Sequence, residues 1–404
     1  MLPSLLRRLH EFSRRLIVRV GLIAVCAFLA IALAKLLGHL IPLGLGDRIG
    51  ADAVDRILSI IANSMLTVTT FSLTVMVASF RNASSQWTPR SHQVLLQDTT
   101  THTVLATFVG AYLYAINVII LRETDVFKGE ELVVLFFVTL GVVTMVIVAI
   151  IRWISHLETL GSLIGTAQRI EDHARDAYAM RCEYPTLGAV PLTGDRPEGL
   201  TDIPAPRSGY IQQVYQDRLQ AEAEKAGLHI YLPLRVGSFI HKGEALAWTD
   251  GSNEACAEIV TRHVSIGSLR NYVQDPEFGL LNLAEIGQRA LSPGINDPGT
   301  AVDMIRRIAR VLLDAELATE EKQEVLYDRV HVPPLPRRLL VIDSIGAILR
   351  FGMDHPEVAS AGDASLRVLI QKGDRDLAAS AREVDRELRL HAPRSVAGEA
   401  GDSA

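Results

Sequence analysis

Four long apolar segments, at 20–41, 57–80, 102–121 and 132–154, fill most of the first 155 residues and decide what this chain can fold into. Each reaches or approaches the roughly 20 residues that cross about 30 Å of hydrocarbon. The first carries Lys35 and His39 only near its far end, where long side chains can reach the interface. It has the basic start of a secretory leader, but its apolar run is long and no small-x-small site follows cleanly, so a retained helix is expected. Arg7, Arg8, Arg14, Arg15 and Arg19 precede it, opposed only by Glu11. The positive-inside rule then puts the N-terminus in the cytoplasm. Four crossings place the acidic loop 122–131 outside and return residues 155–404 to the cytoplasm.

Length and charge narrow the choice further. A chain of 404 residues allows two or three domains. Cys26, Cys182 and Cys256 are far apart and form no CxxC pair, which argues against a disulfide framework or zinc site and fits a reducing compartment. A net charge of −6 gives no case for nucleic-acid binding.

The second span raises the main functional question, because it is rich in hydroxyls. At about 100° per residue, Ser59, Asn63, Thr67, Thr70, Thr74 and Arg81 fall within roughly 80° of one another, interrupted only by Val77. Such a stripe must face protein or water. It serves either as helix–helix packing, where hydroxyls bond across an interface, or as the lining of a path guarded by Arg81. A path with that one fixed charge would suit a small anion or solute. Asn117 in the third span is a candidate partner for this face, or makes a single interhelical hydrogen bond.

The expected organisation is a membrane α+β protein. A basic N-terminus (1–19) leads into a four-helix transmembrane bundle (20–154). A juxtamembrane helix (155–182) continues the fourth span, as a stalk pairing with its copies or as a surface helix on its own domain. A Pro- and Gly-rich linker (183–204) precedes a small β module (205–262), then a helical region (263–392) and a disordered tail (393–404). The "SGYIQ" and "VGSFIHKGEALAW" stretches of the β module resemble the barrel-sandwich hybrid of biotinyl and lipoyl carrier domains. The carriers' modified-lysine motif is missing, since Lys242 belongs to the "HKGEAL" turn, so the module reads as structural.

In the helical region the loop "SPGINDP" stands out, with Ser292, Pro293, Gly294, Asn296, Asp297, Pro298 and Thr300 as candidate site residues. Asp297 is placed to cap the next helix, with Pro298 at its first position and Thr300 at its third. The loop could instead seat a phosphate, although it lacks a P-loop lysine and Rossmann glycine spacing. Arg306, Arg307 and Arg310 follow, as a solvated face or an anion, nucleotide or lipid contact. "HVPPLP" reads as an extended piece, followed by three helices. No HExxH, GxSxG or Walker motif is present, and no catalytic set, metal site or cofactor is expected.

"ASSQWTPR" (83–90), "FVGAYLYA" (108–115), "QDPEFGL" (274–280) and "RALSPGINDPGTA" (289–301) together resemble an uncharacterised family of predicted bacterial membrane proteins, a domain of unknown function. Trp87 stands where a phenylalanine-like residue would be expected. The resemblance covers nearly the whole chain and implies a bacterial inner-membrane bundle with a cytoplasmic domain. It brings no activity with it. Two readings follow: a homo-oligomeric channel or transport protein lined by the second span, or a membrane-anchored signalling or scaffold protein whose cytoplasmic domain binds a ligand or partner.

Overall fold

The computed structural model describes residues 51–86, 90, 99–124, 131–158, 161–251, 254–318 and 324–391, with isolated positions between 18 and 36. Those isolated positions are helical. The rest of the expected first span, the basic N-terminus, Trp87 and Pro89 of the "ASSQWTPR" motif, and the tail 393–404 lie outside the described residues. The chain divides into two compact units, residues 1–165 and 166–404.

In the first unit three described helices are long and apolar enough to cross a membrane. They are α1 (Ala51–Gln86), α2 (Thr99–Glu123) and α3 (Glu131–Leu157). Helices close their own backbone hydrogen bonds, which hydrocarbon demands. α2 is the most enclosed, with Phe108, Ala111, Tyr114, Ala115 and Val118 buried. Asp55 near the start of α1 takes both Arg122 donors near the end of α2, at 2.7 and 2.6 Å. Thr101 near the start of α2 meets His156 near the end of α3, 3.1 Å apart. These contacts make the three helices alternate in direction. Arg81 and the chain's exit after α3 therefore lie at the same end of the bundle. Within it, the Tyr114 hydroxyl donates to Thr139 at 2.9 Å, because the Thr139 hydroxyl is already committed to Leu135 O at 2.7 Å.

The juxtamembrane segment differs from the expected continuous helix. α3 ends at Leu157, and Gly161 adopts a left-handed φ of 79°, open to glycine at little cost. A new helix, α4 (Leu163–Glu183), then starts. It is a packed helix of the second unit, with Ala167, Ile170, Ala174, Ala177 and Tyr178 buried, rather than an isolated stalk.

The second unit combines two small sheets with helices. The expected linker, 183–204, instead supplies two strands, β1 (Ala189–Pro191) and β2 (Thr201–Pro204). Next come β3 (Gly209–Val214), α5 (Gln216–Ala226), β4 (Ile230–Tyr231), β5 (Phe239–Ile240), β6 (Ala245–Thr249), α6 (Glu254–His263) and β7 (Val264–Gly267). β8 (Tyr327–Val332) arrives from the region expected to be helical. One sheet has the order β1-β8-β4-β6-β2, the other β5-β3-β7. β8 is parallel to both β1 and β4 and sits between them. The module therefore needs residues on both sides of 205–262 to complete its sheets. Ile211, Leu219, Ile230, Ile240, Leu246, Val260 and Val330 form its core.

The helical part comprises α7 (Pro276–Ala290), α8 (Pro298–Ala318), α9 (Arg337–Ile342), α10 (Ile345–Gly352), α11 (Pro356–Lys372) and α12 (Arg375–His391). Four helices, not three, follow "HVPPLP", because the chain turns at Asp343 and Ser344 between α9 and α10. Met304, Ile305, Ile308, Val311 and Leu312 of α8 are buried at its centre.

Candidate functional site

The hydroxyl-rich face of α1 points away from the bundle. Ser59, Asn63, Thr67, Thr70, Thr74 and Arg81 are all exposed in the protomer. Val54, Leu58, Ile61, Met65 and Ser72 are buried. At about 100° per residue this buried face is centred roughly 180° from the stripe. Ile60, Leu66, Phe71 and Leu73 are also exposed and flank the stripe on both sides, so a polar line runs down an outward apolar surface.

The hydroxyls of this helix are satisfied locally. Thr67 donates to Asn63 O, Thr70 to Leu66 O and Thr67 O, and Thr74 to Thr70 O, at 2.9–3.2 Å. Ser64 and Thr69 do the same off the stripe, each at 2.6 Å. Such back-bonding removes most of the cost of a hydroxyl in lipid. The Asn63 amide is different, with no side-chain partner among the described residues. Arg81 likewise forms no ion pair among them. Asn117 does not reach across to the stripe: its amide donates to Leu113 O, one turn back on α2, at 2.7 Å.

The "SPGINDP" loop is the turn from α7 to α8. Ser292 Oγ donates to Arg289 O, Asn296 N to Ser292 O and Asp297 N to Ala290 O. Asn296 takes a left-handed φ of 50°, a conformation asparagine tolerates better than most residues. Asp297 accepts the Thr300 amide at 3.0 Å and the Thr300 hydroxyl at 2.6 Å. Those two bonds hold its carboxyl below the usual carboxylate range. The cap carboxylate thus occupies the α8 N-terminus where a phosphate was the alternative. Pro293 and Gly294 are exposed at the tip, and Pro298 begins the helix.

Two ionic knots in the second unit carry no local signal in the sequence. In the first, the buried carboxylate of Glu171 on α4 is held by Arg175, Arg307 and Arg310, with bonds of 2.6–2.7 Å. Arg307 is therefore a buried anchor and not part of a solvated face, and Arg310 is tied to the same carboxylate. Arg306 alone of the three arginines is exposed without an ion pair among the described residues. In the second knot Asp275 caps α7 by accepting Phe278 N, and binds Arg270 through two bonds of 2.7 Å. Arg235 pairs with Glu277 at 3.0 Å. Arg181 is buried beside these carboxylates, and burial pushes its guanidinium down to about 10. Asp275 and Glu277 thus share Arg270, which also reaches Glu277 at 3.6 Å. A third meeting joins His229 and His331 across β4 and β8, 3.3 Å apart. Among the described residues, no group of three or more His, Cys, Asp or Glu side chains could hold a metal ion.

Comparison with known proteins agrees with this membrane architecture. Residues 13–367 match the family described as predicted membrane protein, DUF2254. Uncharacterized proteins of Mycobacterium bovis and Mycobacterium tuberculosis are 27% identical over 283 residues, which cover 63% of this chain. The chain spans about half, 51%, of the length of these curated relatives. No solved structure matches it. With a match across most of its length, the chain belongs to the DUF2254 family of predicted membrane proteins.

Proposed function

We propose that this protein is a homo-oligomeric channel or transport protein of the bacterial inner membrane. Copies of the α1 polar face line a hydrated path, and the 166–391 unit serves as a cytoplasmic assembly or regulatory domain. The observation that carries this reading is the outward direction of the stripe. The buried face of α1 is taken up by its own bundle, and the Asn63 amide, without a side-chain partner among the described residues, is open to water or another copy. An interhelical hydrogen bond in a membrane is worth only about 0.6–2 kcal/mol, which makes water an equal competitor for that amide. The exposed Ile60, Leu66, Phe71 and Leu73 beside the stripe suit contacts between neighbouring copies around an axis. Arg81 at one end of the stripe favours a small anion or solute over a cation.

The test is flux from liposomes holding the purified chain, measured for anions and cations. The expected result is a flux that Asn63→Leu blocks and that Arg81→Ala makes less anion-selective. A folded, oligomeric chain that passes nothing under varied voltage, pH and tension would favour the anchored signalling or scaffold protein instead. The stripe would then be packing surface.

A further inference from the structure

The described surface of the second unit includes a concave feature bearing charges outside any ion pair. α8 and α11 leave between them an open groove of about 620 Å³. α8 lines it at Val302, Arg306, Ala309 and Leu313, steps of 4, 3 and 4. α11 lines it at Glu357, Ala361, Ala364 and Val368, with the same steps. This alternation is the seam of a coiled coil, the pattern by which one helix receives another. Ala309 on one row and Ala361 and Ala364 on the other permit close helix approach.

The charges select the occupant. On the neighbouring helices α9, α10 and α12 ion pairs are abundant: Arg338 with Glu383, Arg350 with Glu387, and Arg389 with Asp385. In the groove, Arg306, Asp314 and Glu357 form no ion pair among the described residues. Arg306 and Asp314 lie on one helix, eight positions apart and symmetric about residue 310. Two α8 helices crossing antiparallel about a two-fold axis near residue 310 bring each Arg306 to the other copy's Asp314. A two-fold interface requires this kind of self-complementarity. Arg310, near the axis, does not oppose its own copy with a free charge, because two bonds tie it back to Glu171.

We infer that this groove is a homotypic interface, in which α8 and α11 of two copies close into a four-helix bundle with reciprocal Arg306–Asp314 ion pairs. The interface stands independently of the lined path and holds whether or not the chain conducts.

The test uses the full chain in detergent or lipid nanodiscs, carrying Arg306→Lys and treated with a zero-length carbodiimide. Positions 306 and 314 of one helix are about 12 Å apart at 1.5 Å per residue, too far to join directly. An amide between the introduced lysine and Asp314 is therefore intermolecular, and mixing isotope-labelled with unlabelled chain confirms it. The expected result is a covalent dimer with that link, lost at least fivefold in Asp314→Asn. A second measurement oxidises Arg310→Cys, an exposed position at the axis that leaves Glu171 held by Arg175 and Arg307, which should give a disulfide dimer where Lys225→Cys on α5 gives none. Cys182 and Cys256 are buried, and burial pushes the Cys182 thiol up to about 12, so they stay silent. The unsubstituted chain controls for Cys26. Arg306→Glu should cut the disulfide yield at least fivefold, and adding Asp314→Arg should restore it to within about twofold. A folded chain that shows neither the 306–314 link nor the 310–310 disulfide, or whose yields ignore the charge reversals, overturns the inference.

Discussion

In the membrane unit the hydroxyls of Ser64, Thr67, Thr69, Thr70 and Thr74 bond to carbonyls of their own helix. In the 166–391 unit the carboxylate of Glu171 is held by arginines from α4 and α8 at once. The two devices have different consequences. A self-satisfied hydroxyl fixes nothing outside its helix, so α1 can turn a polar face outward at little cost. A charge shared between helices fixes how they dock, and loses heavily if one partner goes. Polarity in the first unit is available for function, while buried polarity in the second is largely consumed by architecture.

The largest expected effect comes from breaking the shared charge. Glu171→Gln removes the buried charge that Arg307 and Arg310 share and leaves Arg307 with Asp303 alone, which should cost about 3 kcal/mol, the low end for a broken buried pair. Hydrogen exchange on the full chain should show α4 and α8 losing protection together while α2 keeps its own. Next is the close approach of α7 to α4. A Cβ at Gly279 would lie 2.5 Å from the Ala174 Cβ, so Gly279→Ala should cost about 1–3 kcal/mol, read as an earlier loss of protection at the same helices. Removing the α8 cap with Asp297→Ala should cost about 1 kcal/mol. Added phosphate should not recover this loss, because the bonds from Thr300 that Asp297 accepts are those of a side-chain cap. The smallest effect sharpens the contrast from the other side. Thr67→Val and Thr70→Val should change the stability of the membrane unit by no more than about 0.5 kcal/mol, yet lower any flux through the path. A large loss of stability in those variants would mean the hydroxyls bond across helices.

The parts of this architecture that were legible in the sequence are local ones. Apolar runs at 57–80, 102–121 and 132–154 fall inside α1, α2 and α3, since span length is set by the bilayer and written in consecutive residues. The Asp297 cap was legible because cap, proline and threonine are neighbours. The stripe was legible as a helical face, although its outward direction was not, because direction depends on which side α2 covers. Pairings across long separations left no trace. β1 is three residues in a Pro- and Gly-rich stretch, and its partner at Tyr327 is far along the chain. Arg307 lies nearer the apolar face of α8 than Arg306 does, but its role as an anchor is set by Glu171, far away in the sequence. The break at Gly161 was hidden by apolar spacing that continues across it.

The central claim, that the stripe on α1 is wet, is tested most directly by thiol labelling along that helix in vesicles. Single cysteines at Asn63, Thr67 and Thr70 are compared with cysteines at Ile60 and Phe71, using a charged, water-borne reagent and the unsubstituted chain as background. The account predicts rapid labelling at all three stripe positions and protection at the two flanking ones. Protection at 63, 67 and 70 equal to that at 60 and 71 would contradict it, and would make the stripe a dry contact between copies.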